Sequence, residues 1–93
     1  MNDNEPTPVT IITGRVYRTK DGEGEGVHVF LVAPDDDTAV RTALEALANE
    51  GYAEAELDQI GEMQGAPDEE PHASAYQGAL EGEVAIVTFR ETR

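Results

Sequence analysis

Acidic side chains outnumber basic ones by 20 to 6 in this chain, and any compact state must carry the resulting formal net charge of −14. Carboxylates crowded on a small surface repel one another, so compactness has to come from the apolar residues. Leu, Ile, Val and Phe supply 19 of the 93 residues, just above the roughly 20% below which strongly charged chains stay disordered. One thin core is therefore possible. A chain of this length buries only about 60–65% of the surface its unfolded form exposes, which predicts modest, salt-sensitive stability.

Apolar periodicity divides the chain. Met1 to Pro8 carries two prolines and two acids and is expected to be a flexible lead-in, with a single domain over residues 9–90 and a tail at 91–93. From Val9 to Thr19, Ile11, Thr13, Arg15 and Tyr17 alternate against Ile12, Gly14, Val16 and Arg18, the period of a strand. A second strand is expected over residues 26–33, where all but Gly26 and His28 are apolar, after a glycine-rich hairpin loop at 20–26. Pro34-Asp35-Asp36-Asp37 opens a helix over about residues 36–50, with Val40, Ala43, Leu44 and Leu47 on one face. Asp35 or Asp36 caps its first turn and Gly51 takes the left-handed position after its end. Residues 52–63 fit both periods: Ala53, Ala55 and Leu57 alternate, while Ala53, Leu57 and Ile60 share a helical face. The need for more sheet favours a strand over 54–62. A loop at 65–71, a short helix over His72–Leu80 with Ala73, Tyr76, Ala79 and Leu80 inward, and a strand over 84–89 complete the chain. The expected class is α+β: a mostly antiparallel four-stranded sheet with one long helix on one face, in the order β-β-α-β-(short α)-β.

Several chemistries are excluded. Without cysteine there is no thiolate nucleophile, no disulfide and no cysteine metal site. That usage, together with an acidic N-terminus and no apolar run of about 20 residues, points to a cytoplasmic protein. Asp21, Glu23 and Glu25 before Gly26 imitate the first half of a calcium loop, but position 12 would be Val32 and the flanks read as strands. Those acids suit a solvated hairpin better. His28 and His72 lie 44 positions apart with no metal-binding spacing and read as ordinary sheet and helix-start residues. Ser74, the one serine, has no nucleophile elbow. Gly22, Gly24 and Gly26 lack phosphate-loop spacing, and Glu23 and Glu25 would repel a phosphate. No enzyme activity, cofactor or metal is implied. Free nucleic acid and anionic membranes are disfavoured as partners because carboxylates release no phosphate counterions.

The acids remain. They gather as Asp21, Glu23 and Glu25 on the hairpin, Asp35, Asp36 and Asp37 at the helix start, and Asp68, Glu69 and Glu70 in the late loop, with Glu45, Glu50, Glu54 and Glu56 between. Any one group is explained by solvation and helix capping. The total exceeds the net charge of about 2–8 that keeps a small domain soluble. In size, charge and lack of cysteine the chain resembles the small acidic phage-encoded inhibitors of the anti-CRISPR and anti-restriction type, and the immunity proteins that neutralise basic nucleases. The resemblance implies a non-enzymatic inhibitor of a basic, nucleic-acid-binding protein, in which carboxylates stand where phosphates would. Glu23, Glu25, Asp35, Asp36, Asp37, Asp68, Glu69 and Glu70 are the expected partner-binding residues. Two alternatives stand beside it. One is acidity as an adaptation to high salt, with acids spread evenly over the surface. The other is an accessory or ligand-binding domain that forms a homodimer through an open sheet face or edge, with Tyr17, Phe30, Tyr76 and Phe89 lining a pocket. The bland reading of those four aromatics is core.

Overall fold

The first two strands, β1 (Thr10–Tyr17) and β2 (Gly24–Leu31), form an antiparallel hairpin in which Ile12 faces Val29 and Thr13 faces His28. A computed structural model describes residues 8–63 and 65–89; the expectations for residues 1–7 and 91–93 lie outside them. β2 starts two residues earlier and ends two residues earlier than its apolar run suggests. Glu25 therefore belongs to a strand, not to the loop. The reason is cross-strand cover: a Cβ added at Gly24 would meet the Tyr17 ring at 2.8 Å, and one added at Gly26 would meet Cζ of Phe89 at 2.7 Å. Two aromatic rings thus lie on the glycines and supply the packing that glycine lacks.

After β2, Asp35 accepts a 2.8 Å hydrogen bond from the Thr38 N–H through Oδ1 and caps helix α1 (Asp36–Asn49). Asp36 and Asp37 occupy the positive end of its dipole, and Gly51 follows the helix with φ +99°, as expected. The cap holds the Asp35 carboxyl below its ordinary pKa of 3.8, chiefly through the Thr38 backbone bond. An acid with a depressed folded pKa contributes its stability above the unfolded value and loses it as the pH falls through the folded one. Asp35→Ala should therefore lower the thermal midpoint by a few degrees at pH 7, and Asp35→Asn by less. Scans repeated down to acid pH should show the wild type converging on the alanine variant.

Strand β3 (Glu54–Glu62) pairs antiparallel with β1, although alanine and glutamate favour helix there locally. Tertiary pairing decides the outcome: the Ala53 N–H reaches the Tyr17 carbonyl at 2.8 Å, and the Met63 N–H the Val9 carbonyl at 2.8 Å. The register shifts between Thr13 and Gly14, leaving Asp58 unpaired. Helix α2 (His72–Leu80) and strand β4 (Ala85–Phe89) follow, and β4 pairs antiparallel with β2. The sheet order is β3-β1-β2-β4.

The two helices cover opposite faces. On one side Ile12, Val16, Val27, Val29 and Leu31 pack against Ala39, Ala43 and Leu47 of α1. On the other, Val9, Phe30 and Val87 pack against Ala75 and Ala79 of α2. Val40, Ala43 and Leu47 of α1 and Tyr76 and Ala79 of α2 pack against the sheet as expected, and each face departs from expectation at one leucine. Leu44 is 40% exposed and Ala39 is fully buried in its stead; Leu80 is 45% exposed, while Ala75 faces the sheet with Ala79. Ala39 and Ala43 of α1 and Ala75 and Ala79 of α2 meet the sheet together with Leu47, and Leu44 and Leu80 flank the contacts. The second core is the thinner one.

Candidate binding surface

The sheet register fixes where each acidic group stands. Tyr17 pairs with Gly24 and Glu54 at one end of the sheet, and Thr10 pairs with Leu31 and Glu62 at the other. Glu23 precedes β2 at the first end, whereas Asp35, Asp36 and Asp37 follow β2 at the second. An eight-residue strand separates them by about 25 Å. Asp68, Glu69 and Glu70 directly precede α2, on the face opposite α1. The three expected groups are therefore not brought together. Glu25 pairs with Val16 on the α1 face and is half-buried, unlike the other described carboxylates, all of which are exposed.

A different row joins two of the groups. β3 is an edge strand, and Glu54, Glu56, Asp58 and Glu62 run along it, all exposed, from the hairpin end to the Asp35 end. Asp58 and Glu62 escaped the sequence reading. The alternation of acids with Ala55 and Leu57 carried the signal, but which strand lies at the edge is not written in local sequence. Charges and a bulge on such a strand also discourage edge-to-edge pairing with another copy. Arg41 and Asp37 form an exposed 3.0 Å ion pair on α1, and Arg18 lies over the Tyr52 ring, 4.6 Å from its centre.

The four aromatics expected to line a pocket, or the core, take up packing roles, and Tyr76 packs against the cluster under α2. Phe30 is fully buried in the core under α2, and Tyr17 and Phe89 lie on Gly24 and Gly26. An open concavity of about 410 Å³ is lined instead by Ile11, Thr13, Gln59, Ile60 and Gly61, where α2 does not reach over β1 and β3. No helix among the described residues is long and apolar enough to cross a membrane.

Sequence reasoning also missed a meeting of the two histidines. Nδ1 of His28 on β2 lies 2.9 Å from Nε2 of His72, the first residue of α2, within hydrogen-bond distance. Burial, and secondarily the His72 charge, lower the His28 pKa below its ordinary 6.5. Its neutral form is thus favoured at pH 7. Their 44-residue separation hid the pair, because only the sheet and helix packing bring them together.

The chain matches no known protein family, and no curated protein or solved structure is detectably similar to it.

Proposed function

We propose that this chain is a non-enzymatic acidic protein that binds the basic, nucleic-acid-binding face of another protein and inhibits it. The β3 row carries the reading: four exposed carboxylates along one edge strand, with Glu23 beyond one end and Asp35, Asp36 and Asp37 beyond the other. Alternate residues of a strand recur every ~6.6–6.8 Å, close to two 3.4 Å nucleotide steps of one DNA strand. Glu54 and Glu56, paired with Tyr17 and Arg15 on the α2 face, keep that spacing, while the register shift at Asp58 carries Glu62, paired with Thr10, to the α1 face. Internal neutralisation does not remove that charge. If each of the 6 Lys and Arg paired with one of the 20 acids, 20 − 6 = 14 carboxylates would still lack a basic partner. Charge of this kind accelerates encounter with a positive groove and makes the complex salt-sensitive.

Asp68, Glu69, Glu70, Glu81 and Glu83 lie away from the row, and this spread favours a second reading in which acidity serves solubility or high salt. Immobilised full-length chain, exposed at low salt to lysate of its source cells, separates the two. The expected result is retention of a basic nucleic-acid-binding protein that duplex DNA elutes. The double variant Glu54→Lys, Asp58→Lys should bind that protein at least about ten-fold more weakly with little change in melting. Retention that DNA does not release, or no retention at low salt, would overturn the proposal. A melting temperature that climbs steeply into molar salt would then support the second reading.

A further inference from the structure

His28 and His72 meet where helix α2 rests on the sheet. His28 stands on the α2 face of β2, opposite Thr13 of β1 and Val87 of β4, and His72 is the first residue of α2. The two half-buried rings meet edge-on with their centres 5.1 Å apart, and Nδ1 of His28 lies 2.9 Å from Nε2 of His72. The nitrogens point at each other, as an N–H points at the lone pair that accepts it. Such a bond needs one protonated and one bare nitrogen. It forms between two neutral rings and survives one added proton, because an imidazolium still donates to a neutral imidazole. A second proton puts an N–H on both sides. The bond is then lost, and two positive charges face each other out of full contact with water.

Other contacts seat the helix only lightly. Ala75 and Ala79 are its buried residues, resting on Val9, Phe30 and Val87, with Tyr76 partly buried beside them. The groups around the pair offer the second proton no compensation. β4 turns Val87 and Phe89 toward it, and β1 turns Thr13, with the cationic Arg15 two residues along on the same face. α2 contributes Tyr76 and no carboxylate. Asp68, Glu69 and Glu70 precede the helix, and Glu70 Oε1 accepts the Ser74 N–H at 3.2 Å. Among the described residues no ion pair reaches either imidazole.

We propose that the His28–His72 pair is a proton-operated latch, which seats α2 on the sheet at neutral pH and releases the helix once both rings are protonated. Release uncovers Val9, Phe30 and Val87, an apolar patch that the closed molecule hides. Burial, and then the His72 charge, hold the His28 pKa below its ordinary 6.5. The latch therefore contributes fully above that ordinary value and is lost as the pH falls through the lowered one. Ordinary carboxylates titrate near 4 and stay charged over this window. The latch is independent of the β3 row and of the function proposed for it.

Amide hydrogen exchange of the full chain at about pH 7.5 and about pH 5, corrected for the intrinsic rate at each pH, tests the proposal. The amides of Tyr76 to Leu80 should lose protection at least about five-fold at the lower pH, while those of Ala43 to Leu47 in α1 stay within about two-fold. The ceiling is about thirty-fold, set by an imidazole of ordinary pKa that the closed state denies its proton. His28→Gln should abolish the response, and His72→Gln, which keeps a hydrogen-bonding group but cannot be charged, should at least halve it. The second variant decides the matter if the first fails to fold. Unchanged α2 protection in the wild type, or equal loss in α1 and α2, would overturn the latch. An undiminished response in His72→Gln would assign it to burial of His28 alone and overturn the pair.

Discussion

Gly14→Ala should cost the domain a large share of its stability at 25 °C. A Cβ at this position would stand 2.7 Å from the Leu57 Cα and closer still to the Glu56 carbonyl oxygen. Both are backbone atoms of the neighbouring strand, so no side-chain rotation relieves the clash. Gly14 lies where the β1–β3 register shifts, and the β3 backbone comes close there. Admitting a methyl group means separating β3 from β1 across the bulge. The expected cost is at least ~3 kcal/mol, a large share of the roughly 5–14 kcal/mol available to a domain of this size. Gly26→Ala should be milder, because the Phe89 ring it would meet is 40% exposed and can swing aside. Gly61→Ala is the control: it lies on β3 itself with nothing within 4 Å of the added carbon. It should stay within ~0.5 kcal/mol of wild type. Urea denaturation of the three variants checks the ordering, and equal midpoints for Gly14→Ala and Gly61→Ala would refute the close approach.

Phe30→Ala should be the most damaging side-chain truncation. Phe30 is fully buried beneath α2, a helix that turns only Ala75 and Ala79 wholly inward. It is the largest fully buried side chain between that helix and the sheet, with Val9 and Val87 beside it and the His72 ring at 5.5 Å. Removing it leaves a cavity that two alanines cannot fill, at a cost of about 3–5 kcal/mol. Phe30→Leu should cost less than half as much. Leu44→Ala, on the other helix, should fall near ~0.5 kcal/mol because Leu44 is 40% exposed. Comparable losses for Phe30→Ala and Leu44→Ala in denaturant titrations would contradict the arrangement of the two cores.

The contrast between Leu44 and Ala39 marks where sequence reading stops. Helix α1 was legible because Asp35, the acids after it and Gly51 mark its ends. Its buried face was legible at Val40, Ala43 and Leu47 but not at Leu44 and Ala39, because counting large apolar residues places Leu44 inward where the sheet instead meets Ala39. β3 was legible only through the need for more sheet, since its own composition favours helix. Glu25 was misjudged because Gly24 and Gly26 look like loop residues until Tyr17 and Phe89 arrive from neighbouring strands. The same limit governs the candidate sites. Every carboxylate of the β3 row and both histidines are present in the sequence, but strand order and register decide which of them become neighbours.

The sheet order has a further meaning for how the molecule is assembled in time. Its two inner strands are consecutive and come first, joined by a short turn, and every other strand pairs with one of them. A chain leaving the ribosome can therefore close its innermost ladder from residues 10–31 before either flank has been synthesised. β3 can dock on one side before β4 exists to dock on the other. Vectorial synthesis and the final architecture then run in the same order, from the centre outward, and no strand has to be inserted between two that are already paired.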